Sequence, residues 1–451
     1  MVNTKSLVPD GLEQALVTDL YQLTMAAAYH RHAMSGRASF ELFVRRLPAR
    51  RGFLVAAGLE QAVHYLEHLR FAPRDLDYLR SLPGLRSQPA AFFDALASLK
   101  FTGDLEAVPE GTAVFPNEPI LRVTAPLIEA QIVETFLLAA VNFQTLIATK
   151  AARVAGAAQG RPCYDFGLRR AHGPGAGHLA ARASFIGGCA GTSNVWAARE
   201  LGIPCVGTMA HAWVMAHAEE AEAFRRFAAV FPDGTTLLID TYDTLAGARL
   251  AAAIPGVAAV RLDSGDLLAL SKEVRRILDA AGARPVKIVA SGDLNEYKIA
   301  SLLAAGAPID AFGVGTELVT SADAPALGGV YKLVAQEVGG QWVDRAKDSP
   351  DKATYPGRKQ VYRRFDGGSY RGDTIGSAEE SLPGEALLAP VMRGGRRLCD
   401  PPDLRAVQER ARQDVSRLPS GVRSTGEPVK YPVAFSETLD ARRRALKAGR
   451  A

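Results

Sequence analysis

Cysteine is scarce in this chain, with four residues among 451. The thiols are widely spaced and form no Cys-x-x-Cys pair, which argues against a zinc knuckle and against a disulfide framework. Reduced thiols in a cytoplasmic protein are the simpler interpretation, so we expect a cytoplasmic location. The four positions are Cys163, Cys189, Cys205 and Cys399.

Long apolar runs, internal repeats and low-complexity tracts are also missing. No run reaches the length that a bilayer span needs, so we expect no membrane partner. The excess of positive charge is small, at a formal +5 over the whole chain. Such an excess suits an anionic small molecule at least as well as a nucleic acid, and we expect no nucleic acid partner.

What the chain does contain is a regular alternation of short apolar runs with amphipathic segments between residues 161 and 315. The alternation predicts a parallel sheet with right-handed crossovers. About six such units, without a dinucleotide-binding glycine fingerprint, predict a closed or nearly closed α/β barrel; a doubly wound open sheet is the alternative. The predicted strands are Pro162–Phe166, Ile203–Gly207, Thr236–Asp240, Ala258–Leu262, Pro285–Ala290 and Ile309–Val314. The predicted helices are Thr192–Leu201, Trp213–Ala228, Thr244–Ala253, Leu267–Ala281 and Asn295–Ala304.

The two flanks of this region follow other patterns. Residues 366–384 are rich in glycine, serine and acidic side chains and predict an exposed loop. The basic tail, Arg442–Arg444 with Lys447, predicts a solvated helix face, with a basic binding arm as the alternative. The other predicted elements are a helix from Leu20 capped by Thr18-Asp19, a strand at Ser39–Leu47, a helix at Phe53–Leu69 and one or two apolar helices over Ile128–Ala151.

Chemistry in α/β barrels gathers at the carboxyl ends of the strands. Arg169 and Arg170 come just past the first predicted strand, where guanidinium groups suit phosphate or carboxylate. Phe166 beside them offers an aromatic face. His211 opens a helix after the second strand, and histidine is a candidate general acid or base. A structural histidine is the usual meaning of an isolated residue, but the recurrence of polar residues at the other strand ends favours a site.

Glycine and aspartate follow the later strands. The turns Gly292-Asp293 and Gly313–Gly315 precede helices, and such turns expose N–H groups that attract anions. Asp240, Asp263 and Asp293 each suit a helix cap when taken singly. Taken together at one rim, they favour a bound polyanion with a divalent metal. The whole set suits transfer of a phosphorylated sugar onto an aromatic ring.

Five motifs in order resemble the nicotinate phosphoribosyltransferases, a type II phosphoribosyltransferase family, and the resemblance runs from Thr18 to Val433. The motifs are Asp165–Gly173, Gly191–Val195, Gly207–His211, Arg261–Leu267 and Phe312–Thr316. The resemblance implies an irregular α/β barrel plus a smaller α+β domain built from both chain ends. We therefore expect a barrel domain at 128–334, and a flanking domain that combines 1–127 with 335–451. It also implies an ATP-dependent ligase that joins nicotinate to the ribosyl group of phosphoribosyl pyrophosphate in NAD biosynthesis.

The resemblance implies a role for each matching residue. His211 matches a histidine that is phosphorylated from ATP, and Phe166 matches a ring that stacks on the pyridine. Tyr21 matches a tyrosine supplied by the partner subunit, which implies a homodimer with a shared active site. Mg²⁺ is the expected cofactor and ATP a co-substrate. Phosphate contacts are implied for Arg169 and Arg170, ring and ribose contacts for Arg261 and Asp263, and ribose or 5′-phosphate contacts for Gly292, Asp293, Gly313, Gly315 and Thr316.

Ser193 is the residue that separates the close alternatives. Relatives that use nicotinamide carry aspartate there, and aspartate accepts from an amide but repels a carboxylate, whereas a serine hydroxyl donates to it. We therefore predict nicotinate as substrate. A nicotinamide-specific enzyme and a non-catalytic, ligand-sensing relative stay open as alternatives. A quinolinate-using relative lacks the Asp-Phe-Gly and Gly-Thr-x-x-His motifs that this chain contains.

Overall fold

The computed structural model describes residues 14–349 and 352–449. The chain divides into two compact units. Residues 147–325 form one unit, and the described residues up to 146 and from 326 form the other. The first unit is shorter at both ends than the expected barrel range of 128–334.

The elements before the barrel strands mix helices with short strands. β1 confirms the predicted strand at Ser39–Leu47, and α5 with α6 confirms the apolar helices over Ile128–Ala151. The helices are α1 (Leu20–Arg31), α2 (Leu59–His68), α3 (Pro73–Ser81), α4 (Ala90–Ala97), α5 (Leu127–Ile132) and α6 (Glu134–Ala157). The strands are β1 (Arg37–Val44), β2 (Leu54–Val55), β3 (Asp104–Ala107), β4 (Ala113–Val114) and β5 (Pro119–Pro126).

Two predictions in this region need correction. The helix expected at Phe53–Leu69 begins only at Leu59, because β2 and a left-handed Gly58 with φ of 101° come before it. Asp19 precedes α1 but does not cap it with its side chain. Its carboxylate instead accepts a hydrogen bond from the Thr135 hydroxyl at 2.9 Å.

The barrel unit alternates strands with helices. The strands are β6 (Cys163–Asp165), β7 (Gly191–Thr192), β8 (Thr235–Leu238), β9 (Val257–Leu262), β10 (Lys287–Ala290) and β11 (Ala311–Val314). The helices are α7 (Pro174–Ile186), α8 (Val195–Leu201), α9 (His211–Met215), α10 (Glu220–Val230), α11 (Thr244–Ala252), α12 (Leu267–Ala280), α13 (Glu296–Ala304) and α14 (Thr316–Val319). Five of the six predicted strands are confirmed within a few residues, whereas Ile203–Gly207 is reduced to one bridge at Cys205.

The barrel strands are all parallel and pair in the order β7-β6-β11-β10-β9-β8. The last strand, β11, pairs with the first, β6, so the sheet curls back on itself as in an α/β barrel. A bridge between Thr192 and Cys205 extends the pairing beyond β7. Among the described residues no pairing joins Cys205 to β8, which leaves one open seam. The irregular barrel is therefore confirmed over the doubly wound alternative.

The strands of the barrel contribute large apolar side chains to its core. Leu237, Val260, Ile288 and Phe312 come from four neighbouring strands and are completely buried. Burial of such large apolar side chains is the main favourable contribution to folding. It also fixes the strand ends, and with them the polar residues that follow.

The elements after the barrel return to the flanking unit. The strands are β12 (Gly329–Val338), β13 (Gln341–Asp344), β14 (Lys359–Asp366), β15 (Ser369–Ser377), β16 (Glu385–Ala386), β17 (Ala389–Arg393), β18 (Arg396–Arg397) and β19 (Val433–Phe435), and the helices are α15 (Leu404–Arg417) and α16 (Glu437–Ala448). One antiparallel sheet has the order β13-β12-β1-β5-β3-β17-β18 and a second has the order β16-β14-β15-β19. Strands from both chain ends therefore share one sheet, as the resemblance implies.

The exposed loop predicted at 366–384 is wrong for residues 369–377, which form β15, whereas residues 378–384 are the connection that follows that strand. Gly367 and Gly368, with φ of 56° and 85°, form a hairpin turn between β14 and β15. β15 then runs through the interior, where the buried Asp373 binds the Arg363 guanidinium at 2.7 Å. The polar composition of this segment suggested exposure to solvent, but the Asp373 carboxylate is buried in an ion pair with Arg363.

The basic tail forms α16, and its arginines contact the flanking unit. Arg442 lies 3.4 Å from Glu379. Arg443 lies over the ring of Tyr355, at 4.7 Å from the centroid. The tail is therefore a helix face in which two of the arginines have partners.

One helical stretch, Leu127–Ala157, is long and apolar enough to cross a membrane by length and composition alone. The sequence expectation that no such run exists is therefore wrong. However, 67% of its apolar window is buried inside the protein, as in the core helix of a globular fold.

Candidate active site

Arg261 and Asp263, at the carboxyl end of β9, form the centre of the barrel rim. Arg261 Nη2 donates to Asp263 Oδ1 at 2.7 Å, and Arg261 Nε donates to Ser291 Oγ at 2.8 Å. Ser291 Oγ in turn donates to Asp263 Oδ1. Arg261 Nη1 reaches Thr208 Oγ1 at 3.2 Å. The loops after β9 and β10 and the Gly-Thr segment before α9 therefore meet at one guanidinium.

The Asp263 carboxylate is held in its ionised form. Partial burial raises its pKa, but hydrogen bonds from Ser291 and Arg261 and the Arg261 charge outweigh burial, so the net pKa is lowered. Asp263 is therefore a fixed negative charge at neutral pH.

Asp240 supports Asp263 from the neighbouring strand. Its Oδ2 accepts from the Asp263 backbone N–H at 2.9 Å and from Ser264 Oγ at 2.6 Å. Its Oδ1 is buried and has no hydrogen-bond partner among the described residues. The helix-cap interpretation is wrong for Asp240, Asp263 and Asp293, because the caps of α11, α12 and α13 are Asp243, Asp266 and Asn295.

His211 is the first residue of α9 and faces the same carboxylate. Its Nδ1 is hydrogen-bonded to Thr241 Oγ1 at 3.1 Å, and its Nε2 lies 3.9 Å from Asp263 Oδ2. The side chain is 39% exposed. Thr241 thus orients the ring, and Nε2 is the nitrogen left facing the rim. His217 lies beyond the end of α9 and bonds the Trp213 carbonyl at 2.8 Å, which fits a structural role.

Phe166 follows β6 and lies beside the centre of the rim. Its backbone N–H donates to the Val314 carbonyl at 2.9 Å, and the Arg261 guanidinium lies 5.6 Å from its ring centroid. A Cβ on Gly313 would lie 2.4 Å from the Phe166 ring. Glycine is therefore required at 313 because the ring packs directly on the backbone of β11.

Ser193 follows β7, the strand that pairs with β6. Its backbone N–H donates to the Asp165 carbonyl at 2.8 Å. The buried Asp165 carboxylate accepts from Thr192 Oγ1 at 2.7 Å and from the Gly167 N–H at 2.8 Å. Burial raises the pKa of Asp165, and these two hydrogen bonds limit the rise. Asp165 thereby fixes the spacing between Phe166 and Ser193.

The turns after β10 and β11 have backbones that suit close approach of a ligand. Gly292 has φ of 91°, and Asp293 has φ of 46°, a left-handed value that is uncommon outside glycine. Gly315 directly precedes α14, whose first residue is Thr316. Arg169 and Arg170 are exposed in the 3-10 turn Leu168–Arg170 just past β6.

Tyr21 belongs to the flanking unit, where it lies in α1 with 48% of its surface exposed.

The barrel rim brings together Phe166, Ser193, His211, Arg261 and Asp263, which all belong to the barrel unit. Within the described ranges, no group of three or more histidine, cysteine, aspartate or glutamate side chains is arranged to hold a metal ion.

Sequence reasoning missed three polar residues that orient this centre, namely Thr208, Thr241 and Ser291. Each lies one or two positions past the end of a predicted strand, so its location was a usable signal. Hydroxyl residues are common in such loops, and only the observed bonds to Arg261, His211 and Asp263 distinguish these.

The fold and the rim define an α/β-barrel enzyme whose centre combines an aromatic ring, an ionised carboxylate, a histidine and glycine-containing turns. Three family models match in order: the nicotinate phosphoribosyltransferase N-terminal domain at residues 16–142, the nicotinate phosphoribosyltransferase family at 162–362 and the corresponding C-terminal domain at 381–442. The chain belongs to the nicotinate phosphoribosyltransferase family.

Individual relatives agree with this assignment along nearly the whole chain. The nicotinate phosphoribosyltransferase pncB2 of Mycobacterium tuberculosis is 50% identical over 434 residues, covering 94% of this chain and 92% of the relative. That of Bacillus subtilis is 42% identical, covering 94% and 93%. The crystal structure of human nicotinic acid phosphoribosyltransferase matches with a TM-score of 0.83 and 32% identity, covering 95% and 99%.

Proposed function

We propose that the chain transfers the phosphoribosyl group of phosphoribosyl pyrophosphate to nicotinate, in the biosynthesis and salvage of NAD. The nicotinate ring nitrogen attacks the anomeric carbon, the new C–N bond forms, and the bond from that carbon to pyrophosphate breaks. The observation that carries the proposal is the convergence of Phe166, Arg261, Asp263 and His211 at one rim of a family member.

Asp263 acts on the charge that develops during transfer. The anomeric carbon becomes cation-like as pyrophosphate leaves, and preorganised charge is the main source of stabilisation for such a state. The ionised Asp263 carboxylate supplies the opposite charge. Arg261 fixes that carboxylate and lies beside the ring of Phe166, which stacks on the pyridine.

Phosphate groups are held by the exposed cations and the turns of the rim. Arg169 and Arg170 present rigid guanidinium forks for the pyrophosphate. The turns after β10 and β11 offer backbone N–H groups to the ribose and 5′-phosphate. The residues assigned to these turns are Gly292, Asp293, Gly313, Gly315 and Thr316.

His211 couples the reaction to ATP. The γ-phosphoryl group of ATP passes to the imidazole, ADP leaves, and water later releases inorganic phosphate. Since Thr241 engages Nδ1, we assign phosphorylation to Nε2. A phosphoryl group on Nε2 carries about two negative charges close to Asp263, whose Oδ2 lies 3.9 Å from the unmodified nitrogen. These charges change the electrostatic potential at the active site. Loss of ATP-stimulated turnover in His211→Ala tests this role, and full retention would contradict it.

Mg²⁺ is proposed to enter with the diphosphate substrate. The unpartnered Asp240 Oδ1 and the ionised Asp263 fit one or two carboxylate contacts of the kind that Mg²⁺ makes beside substrate phosphates. The ion would neutralise the leaving pyrophosphate.

Ser193 sets the preference for the acid over the amide. Its hydroxyl can donate to a nicotinate carboxylate, whereas aspartate there would repel it. We expect Ser193→Asp to shift the ratio of kcat/KM values from nicotinate toward nicotinamide. An unchanged ratio would contradict this specificity argument.

The exposed Tyr21 bears on the oligomeric state of the enzyme. Tyr21 is exposed, which suits a residue supplied to a partner subunit, and we propose a homodimer with shared active sites. We further propose that the enzyme is an ATP-dependent ligase of the cytoplasm.

The deciding experiment measures mononucleotide formation by the purified protein with Mg²⁺ and phosphoribosyl pyrophosphate. Nicotinate and nicotinamide are each supplied with and without ATP. Product from nicotinate, increased by ATP, supports the proposal. Product from nicotinamide instead would overturn the specificity, and no product from either would favour a ligand-sensing protein.

A further inference from the structure

Lys150, in α6, carries a completely buried ammonium group. Its Nζ lies 2.6 Å from Glu296 Oε2, 2.8 Å from Asp323 Oδ1 and 3.8 Å from Glu317 Oε2. An ammonium is costly to bury unless carboxylates compensate it. These three carboxylates supply that compensation, and all four residues belong to the barrel unit.

The carboxylates come from the segments that follow the two turns of the rim. Glu296 is the first residue of α13, three positions after Asp293. Glu317 is the second residue of α14, two positions after Gly315. One ammonium therefore contacts the segments behind both turns.

Arg153, one turn further along α6, holds the second oxygen of Glu296. Its Nε donates to Glu296 Oε1 at 2.9 Å, and its Nη2 donates to the Tyr297 hydroxyl at 3.2 Å. The cluster thus contains two cations and three carboxylates. Removal of the Lys150 charge would leave three carboxylates and one guanidinium in the cluster, and repulsion between the carboxylates would separate the two segments.

Pairing of β10 with β11 ends at Ala290 and Phe312, so the turns themselves lie beyond the ladder and depend on other contacts for their spacing. α14 spans four residues, so few helical hydrogen bonds fix its orientation. Gly292 and Asp293 both have left-handed backbones, which persist only where surrounding contacts hold them.

We propose that Lys150 is a positioning residue that holds the turns after β10 and β11 at the spacing required by the phosphoribosyl donor. This inference rests on the proposed function, because it assigns those turns to the donor's phosphate and ribose. Lys150 itself touches no substrate.

The experiment compares Lys150→Met with Lys150→Arg and with the double variant Lys150→Met/Glu296→Gln, which removes one negative charge together with the positive one and serves if the single variant does not fold. Lys287→Met is the matched control, since Lys287 is an exposed lysine at the opposite end of β10. KM is measured separately for phosphoribosyl pyrophosphate and for nicotinate. Hydrogen exchange is measured over residues 291–298 and 313–320.

We expect kcat/KM for phosphoribosyl pyrophosphate to fall by about 100-fold in Lys150→Met, the effect of misplacing binding groups by roughly 1 Å. KM for nicotinate should stay close to wild type, Lys150→Arg should recover part of the loss, and exchange should accelerate in both turns. Lys287→Met should show none of these changes.

A lower melting temperature with unchanged kcat/KM for phosphoribosyl pyrophosphate would overturn the inference, and so would an equal rise in both KM values. Unchanged exchange in both turns would overturn it as well. A wild-type protein without transferase activity would instead overturn the proposed function, and the exchange data would still report on the tie between the turns.

Discussion

Replacement of Gly292 by alanine tests whether the loops after β9 and β10 must lie in contact. Gly292 has φ of 91°, and a Cβ built there would lie 2.0 Å from the carbonyl oxygen of Asp263. Ordinary contact begins at 3.4 Å. Since the obstacle is backbone rather than a flexible side chain, one of the two loops must move by more than an ångström.

The loss of stability in Gly292→Ala has two causes, the left-handed backbone and the steric clash, and the control variant Gly306→Ala separates them. A left-handed alanine costs about 1–2 kcal/mol, and overpacking adds about 1–3 kcal/mol, so we expect Gly292→Ala to destabilise by roughly 2–5 kcal/mol. Gly306, at the other end of α13, also has a positive φ of 73°, but a Cβ there meets nothing within 4 Å. Gly306→Ala should therefore show only the first part, about 1–2 kcal/mol.

Denaturant unfolding and steady-state kinetics check the two expectations. Because one of the two loops carries Asp263 and the other carries Asp293, movement of either displaces a residue of the proposed site, so Gly292→Ala should also lose about 100-fold in kcat/KM, whereas Gly306→Ala should keep wild-type kinetics. Equal destabilisation by both substitutions, or wild-type turnover in Gly292→Ala, would refute the contact between the loops.

Three further substitutions test neighbouring parts of the rim. Gly313→Ala should raise KM for nicotinate several-fold, because its Cβ displaces the Phe166 ring; an unchanged KM would remove Phe166 from the pyridine site. Ser291→Ala removes a donor that lowers the pKa of Asp263, so the acid limb of the pH profile of kcat/KM should move to higher pH; no movement would mean that another group titrates there. Arg169→Gln should raise KM for phosphoribosyl pyrophosphate and leave the melting temperature unchanged, since Arg169 is exposed; the reverse pattern would give Arg169 a structural role.

The sequence predicts the barrel well because its strands are short apolar runs that a parallel sheet buries on both faces. The prediction weakens where pairing is short. β7 has two residues, too few to register as an apolar run, and the strand expected at Ile203–Gly207 pairs through Cys205 alone. The helix expected over Trp213–Ala228 divides into α9 and α10.

The site is predictable as a set of residues but not as a network. Motifs identify Arg261, Asp263 and His211, since these residue types carry recognisable chemistry. The hydroxyls of Thr208, Thr241 and Ser291 act through distances of about 3 Å across separate loops. Such distances depend on how the strand ends are arranged in space, which a linear pattern does not specify.

The open seam between Cys205 and β8 makes the rim unequally stiff. The segment 206–234 crosses this seam without strand pairing between the two sides, and His211 lies on it. Within this segment, Thr208 and His211 are held to the rim by side-chain hydrogen bonds to Arg261 and Thr241. His211 therefore lies on the arc of the barrel that strand pairing leaves open, where side-chain contacts rather than a β-ladder set its position.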